Sequence, residues 1–277
     1  MHAMTCDVED YFQVSAFDGI VPQDRWTAVE CRIPRNVDRA LQIFADTGTK
    51  GTFFTLGWVA EHLPQVVRRI ADEGHELASH GMYHRRVWSQ EPEEFREDAH
   101  RARELLQDVG GVAVIGYRAA SWSIDHRTPW AHDILAETGY KYSSSIYPVS
   151  HDHYGMPDAP RYPYRIDDNG ILEIPPSTAR FLGRNVPVAG GGYFRLFPLR
   201  LSKYFIKAQQ TNESFPYVFY FHPWELDPDQ PRFTGAPFKA RFRHYLNLDK
   251  LEARLSDLLR TFSWGRMDEI YLGGSDY

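Results

Sequence analysis

The sequence predicts an α/β chain whose parallel strands curl into a (β/α) barrel, complete or partial, and two observations carry that prediction. Strand-like apolar runs alternate with stretches of helical periodicity about seven times along the chain, which calls for parallel strands joined by right-handed crossovers. The residues with chemistry to offer also recur at one place in this alternation. The acids Asp7, Glu9 and Asp10, the pair His80 and His84, Arg118 and His222 each fall at or just past the C-terminal end of an expected strand. In such barrels that end is the functional face.

The first strand runs straight into Asp7-Val8-Glu9-Asp10. Three acids in four positions cannot be buried bare, so they must be solvated, hydrogen-bonded or holding a cation. A long irregular stretch follows to about residue 35, of a length that is often functional. Asn36 is placed to cap a helix on which Val37, Ala40, Leu41 and Phe44 recur, with Gly48 beyond its end. Residues 51–56 read as the second strand, Pro64 starts a helix running to Gly74, and residues 75–78 form a third strand leading into the histidine pair.

Phe95, Ala99, Ala102, Leu105, Leu106 and Val109 form the inward stripe of a helix over residues 91–109, stopped by Gly110-Gly111. A strand at 112–116, a helix at 129–137 and a strand around 140–144 continue the alternation. Residues 145–197 are richer in Pro, Gly and Tyr, with a strand at 171–175 and a tight turn at Gly190-Gly191-Gly192. Pro198 opens a helix to about residue 210, and 216–221 is a buried-type strand ending at His222-Pro223-Trp224-Glu225. The last long helix covers about 249–262. Without repeats, low-complexity tracts or a linker, residues 1–277 read as a single catalytic domain with a C-terminal extension from about residue 229.

With 277 residues, 43% of them hydrophobic and 14% aromatic, the chain can bury a sizeable core. Net charge is −6 and the basic residues are interleaved with acids, which argues against a nucleic-acid groove and for a neutral or weakly charged substrate. Cys6 and Cys31 are too few for a disulfide framework or a thiolate zinc site and read as core filler. No run approaches the roughly 20 apolar residues of a membrane span, and the first strand leaves no room for a signal peptide. A cytoplasmic protein is expected.

A carboxylate with two histidines leaves positions open on a divalent ion, and such an ion activates water and polarises a carbonyl, which suits hydrolysis. His80 and His84 share one face if their segment is helical. Strand alternation puts Glu9 on the side of Asp7, whereas a strand that ends early turns Asp10 inward, so either acid can complete the set. Trp122, Tyr193 and Trp224 are flat groups near the motif ends that could stack on a sugar ring, with packing as the competing use. His151-Asp152-His153 reads as a solvated loop, because no strand end frames it as a second ion site.

Thr5-Cys6-Asp7-Val8-Glu9-Asp10, Ser79-His80-Gly81-Met82-Tyr83-His84, Gly116-Tyr117-Arg118-Ala119-Ala120-Ser121-Trp122 and Tyr220-Phe221-His222-Pro223 resemble the ordered motifs of the polysaccharide deacetylases, the NodB-homology or carbohydrate esterase 4 family. The opening after Asp7, the 190–195 stretch and the 222–225 ending are most similar to the branch associated with exosortase and exopolysaccharide gene clusters. The resemblance covers nearly the whole chain. It implies a deformed (β/α) barrel and metal-dependent removal of N-acetyl groups from a saccharide in exopolysaccharide biosynthesis. Zinc is the implied metal, with cobalt, nickel or manganese as alternatives.

By position the resemblance makes Asp7 the general base, His80 and His84 ligands with Glu9 or Asp10 as the third, Arg118 the group that orients and charge-pairs the base, and His222 the general acid. The usual family motif has two adjacent aspartates where this chain has Asp7-Val8-Glu9-Asp10. A related barrel amidohydrolase acting on a small cyclic amide, and a carbohydrate-binding protein without activity, are the competing readings. The expected partner is a saccharide, with no nucleic acid and no membrane span.

Overall fold

The computed structural model describes residues 1–152, 154–166 and 170–273. Its strands are β1 (His2–Val8), β2 (Thr52–Thr55), β3 (Glu76–Ser79), β4 (Gly116–Tyr117), β5 (Tyr142–Ser143), β6 (Tyr164–Arg165), β7 (Leu172–Glu173), β8 (Thr178–Phe181), β9 (Arg184–Pro187), β10 (Val218–Phe221) and β11 (Trp264–Gly265). Nine of them form one curled, mainly parallel sheet in the order β10-β1-β2-β3-β4-β5-β7-β6, with β11 also on β1. Only β6 runs antiparallel to its neighbour in this sheet, and β8 and β9 make a separate antiparallel hairpin. Among the described residues β6 does not pair with β10, so the barrel is open, a half-barrel.

The helices are α1 (Ile33–Asp46), α2 (Gly57–His62), α3 (Pro64–Asp72), α4 (Pro92–Gly110), α5 (Ala131–Glu137), α6 (Gly191–Leu196), α7 (Leu199–Asn212), α8 (Phe238–Tyr245), α9 (Leu251–Thr261) and α10 (Met267–Leu272). None among the described residues is long and apolar enough to cross a membrane.

Alternation along β1 sets the position of everything chemical. Met4, Cys6 and Val8 join the large core under the helices. Ala3 packs on the concave side with Phe54, Ala78, Tyr142, Val218 and, from α10, Met267, so that the following residues of the same parity, Thr5 and Asp7, face the same way. All seven residues of β1 are buried, as a strand covered on both faces requires. Cys6 is one of the core fillers, as its small size suggests, and both cysteines are free.

Three local expectations are corrected. The strand expected at 112–116 contracts to Gly116–Tyr117. α1 starts at Ile33 and not after a cap at Asn36, because Pro34 suits a first helical turn and the Asp10 carboxylate takes the backbone N–H groups of Arg32 and Ile33. Asn36 is then buried inside the helix. The three glycines do not make a tight turn: Gly190 is extended and Gly191 opens α6. Their use is close approach, for a Cβ on Gly190 would lie 2.4 Å from the Tyr220 hydroxyl and one on Gly191 2.3 Å from Glu225 Oε1.

Gly191→Ala is therefore expected to cost about 1–3 kcal/mol through overpacking. Gly192→Ala, with open space around its Cβ, is expected to be neutral or stabilising. Urea midpoints of the two variants, at unchanged denaturant slope, give the comparison, and equal midpoints would remove close approach as the reason for glycine at 191.

Candidate active site

At the mouth of β1, Asp7 Oδ1 lies 2.6 Å from Arg118 Nη1, with both side chains buried. The same guanidinium donates to Thr5 Oγ1 (2.7 Å), Ser144 Oγ (3.0 Å) and the Ser144 carbonyl (3.2 Å), and it lies over the Phe54 ring at 4.0 Å. β1, β2 and the exits of β4 and β5 thus all contribute to holding one cation. A buried charge survives only when paired and hydrogen-bonded in this way. The second oxygen of Asp7 is left to face the site.

Glu9, His80 and His84 come together beside it, with one ligand atom from each lying within 4.8 Å of the other two. The histidine segment is not helical. His80 continues the β3 ladder through its N–H to the Thr55 carbonyl, and the chain then loops through Gly81 at φ +75° and His84 at φ +54°. That loop is pinned by the N–H groups of Gly57 and Trp58 on the carbonyls of Gly81 and Met82, and by Asp98, which accepts from the Met82 N–H at 2.9 Å. A side chain on Gly81 would meet that Asp98 carboxylate at 2.9 Å.

The group fits a divalent cation on its own chemistry. His80 Nδ1 lies 2.7 Å from the Arg118 carbonyl, which can only accept, so Nδ1 carries the proton and Nε2 keeps its lone pair toward the site. Glu9 Oε2 is 2.7 Å from His84 Nε2 and 4.0 Å from His80 Nε2. Although buried, it takes no well-aligned hydrogen bond, which leaves its charge for a cation. Burial brings the His80 imidazole down to about 4 against the pull of Asp7 and Glu9, which keeps it neutral and ready to ligate. Burial would raise the Glu9 carboxyl, but His84, His222 and His80 outweigh it and hold it well below the usual range.

His222 enters from the end of β10, with Nε2 3.5 Å from Glu9 Oε1 and 3.9 Å from Asp7 Oδ2. Its Nδ1 lies 2.8 Å from Glu225 Oε1, and Glu225 Oε2 accepts from Arg195 Nε at 2.7 Å. Arg195 in turn donates to the carbonyls of Arg243, His244 and Leu246. Burial alone would lower the His222 imidazole, but Glu9, Glu225 and Asp7 bring it up to about 9. Glu225 is held down to about 2, because Arg195 and His222 outweigh its burial.

The other expected site residues are placed differently. Asp10 turns away, its carboxylate occupied by the N–H groups of Tyr11, Arg32 and Ile33. Trp122 is buried with its ring against the Arg118 guanidinium at 4.9 Å and Tyr220 at 4.8 Å. Trp224 is sandwiched between His222 (5.2 Å) and His244 (4.0 Å) and donates to Glu9 Oε1 at 3.3 Å. Neither tryptophan offers a face to a sugar, whereas Tyr193 on α6 stays partly exposed. His151 stacks on Tyr154 at 4.1 Å and Asp152 pairs with Lys239, while His153 lies outside the described residues. Glu225, Arg195 and Ser144 carry no individual role in the sequence reading. A signal for Glu225 existed: an acid three residues after His222 with Pro223 between is a capping-box spacing, and both halves of that box are formed.

Residues 20–143 match the family model described as polysaccharide deacetylase. Residues 144–272 match a domain of unknown function, DUF3473. The deacetylase match holds His80, His84 and Arg118, while Asp7 and Glu9 precede it and His222 follows it. Among curated relatives, a peptidoglycan deacetylase of Helicobacter pylori is 27% identical over 110 residues, 40% of this chain and 36% of that protein. A peptidoglycan-N-acetylglucosamine deacetylase of Bacillus cereus is 38% identical over 64 residues, 23% of each chain. These matches span little more than a third of the relatives at most. A solved Mycobacterium smegmatis structure, named provisionally as a polysaccharide deacetylase, is 21% identical with a TM-score of 0.60, covering 97% of this chain and 88% of that one. At this identity the likeness shows the fold, the deformed half-barrel of these deacetylases.

Glu9→Gln is expected to weaken zinc binding by more than about a hundredfold, the upper end of what losing even an outer partner of a ligand costs. Asp10→Ala is expected to leave zinc affinity near wild type and to lower stability by about 0.5–2 kcal/mol, as a lost helix cap does. Calorimetric zinc titration and urea unfolding of both variants check this, and the reverse order of zinc affinities would move the third ligand to Asp10.

Proposed function

We propose that this protein is a divalent-metal-dependent hydrolase, a zinc enzyme in the first instance, that removes N-acetyl groups from an N-acetylated saccharide. The observation that carries the reading is the convergence of an arginine-fixed aspartate, a Glu-His-His cluster and an acid-paired histidine on one strand-end mouth. The family match of residues 20–143 supports it, as do the names of the two relatives, which act on peptidoglycan. A role in exopolysaccharide biosynthesis rests on the motif resemblance alone. β10 and β11, from the C-terminal part of the chain, both pair with β1, which favours one catalytic unit over residues 1–277.

The chain's own groups divide the work. Asp7, oriented by Arg118, takes a proton through Oδ2 from the water that attacks the acetyl carbon. Glu9, His80 and His84 would hold the cation, which supplies positive charge to the acetyl oxygen and makes water more acidic. As the C–N bond breaks, His222 Nε2 gives a proton to the departing sugar nitrogen. Glu225 on Nδ1 fixes the ring so that Nε2 faces Asp7 and Glu9, and Arg195 fixes Glu225. Acetate and the free amine are the products.

His222→Ala is expected to lower kcat on an N-acetylglucosamine oligomer by about 10²–10⁴-fold, the usual contribution of a positioned acid. A phenyl acetate ester, whose leaving group scarcely needs a proton, should lose much less, and bound zinc should stay. Equal losses on amide and ester, or loss of zinc, would remove His222 from the role of acid.

Glu225→Gln tests the ring's partner separately. It is expected to reduce kcat with little change in KM, because the group touches His222 and not the substrate. A rise in KM at unchanged kcat would instead assign Glu225 to substrate binding.

A further inference from the structure

Residues 174–212 and 230–248 contain no Asp or Glu, yet they carry six and four Lys or Arg in a chain of net charge −6. The interleaving of charges expected along the whole chain breaks down here. Of the ten large hydrophobic side chains exposed among the described residues, seven lie in these same two stretches. Single exposed hydrophobics are ordinary on a protein surface. Their concentration where the backbone carries only positive charge is a different matter.

Two elements present them. The β8–β9 hairpin ends in Arg180-Phe181-Leu182-Gly183-Arg184, with Phe181 66% and Leu182 87% exposed. Leu182 sits at φ +47°, a left-handed conformation unfavourable to any residue with a Cβ, so the tip holds a large apolar group out in water in a backbone state that glycine would take more easily. On α8, Phe238 (80% exposed) and Phe242 are four residues apart on one face with their rings stacked at 6.3 Å, and Lys239, Arg241 and Arg243 alternate with them.

Both elements abut the loop over residues 154–161 and its approach. Asn185 Nδ2 donates to the Pro157 carbonyl at 3.4 Å, and Arg161 donates to Thr178 Oγ1 at 2.8 Å, while Lys239 and Arg243 reach Asp152, which neutralises part of the charge of α8. Tyr154 of this loop stacks on Tyr147 at 5.8 Å, and Tyr147 packs on Trp122, the ring beside Arg118. The basic, apolar elements therefore stand at the rim of the candidate active site.

We infer that the β8–β9 tip and α8 form a docking surface for an anionic lipid membrane, seating the mouth of the site beside the headgroups. Arginine and lysine supply attraction to anionic headgroups, and Phe and Leu, which have no polar edge, suit the acyl boundary below them. A soluble acidic polymer would be met by the same charges but gains nothing from an exposed leucine at a hairpin tip. The surface lies in the segment that matches a domain of unknown function and gives that segment a task.

The test is binding of the full chain to vesicles of phosphatidylcholine with and without phosphatidylglycerol, read by co-sedimentation without any substrate, so that it stands or falls apart from the deacetylase reading. Wild type is expected to bind the anionic vesicles, to release at high salt, and to ignore the neutral ones. Removing charge in the pair Arg180→Gln and Arg184→Gln is expected to weaken binding about fivefold per residue. The pairs Phe181→Ser with Leu182→Ser and Phe238→Ser with Phe242→Ser should weaken it as well, with circular dichroism unchanged because these side chains are exposed. The inference is overturned if wild type binds neither vesicle or both equally, or if the variants bind as wild type does. Loss of heparin binding in the same variants without any vesicle binding would also overturn it, in favour of a soluble acidic partner.

Discussion

The buried contact between Arg118 and Asp7 is the constraint on which the rest of the site depends. Two charges withdrawn from water are tolerable only with close geometry and further hydrogen bonds to the remaining donors, and removing one partner of such a pair costs about 3–5 kcal/mol. Thr5, Ser144 and the Phe54 ring meet that demand from separate strands. Arg118 does a second thing with its backbone, since its carbonyl receives the Nδ1 proton of His80. One residue therefore fixes both the Asp7 carboxylate, the proposed base, and the tautomer of His80, a proposed ligand. The position of Asp7 relative to the Glu-His-His cluster follows from β4 as much as from β1.

Much of this was legible in the sequence because strand ends are easy to recognise and polar residues there have few other uses. Asp7, His80, His84, Arg118 and His222 do meet at one mouth, and the half-barrel is the expected alternation of strands and helices with one edge left open. What failed were inferences from spacing taken without tertiary context. His80 and His84 meet through a loop with two left-handed residues and not through a helix. Asp10 is drawn off by a helix N-terminus whose cap the sequence placed four residues too late, at Asn36 rather than Arg32.

The aromatics misled for a related reason. Trp122 and Trp224 lie close in sequence to the candidate site residues Arg118 and His222, yet their rings are what walls those two side chains. Glu225 and Arg195 were passed over because an Arg–Glu pair reads as ordinary surface charge until both members are found buried. The glycines at 190 and 191 belong to the same arrangement, since they let α6 approach Tyr220 and Glu225 closely enough for Arg195 to reach its partner.

β1 pairs with β2 on one side and β10 on the other, in register at Thr5 with Thr52 and Tyr220. β1 thus cannot complete its neighbourhood until more than two hundred further residues have been made, and at ~5–20 residues per second that is a wait of roughly ten seconds or more. During that interval the acid-rich end of β1 and the two histidines can meet without His222 or Trp224 to cover them. The acid-rich end of β1 and the two histidines thus lie in a part of the sheet whose sequence is complete long before the strand that brings His222.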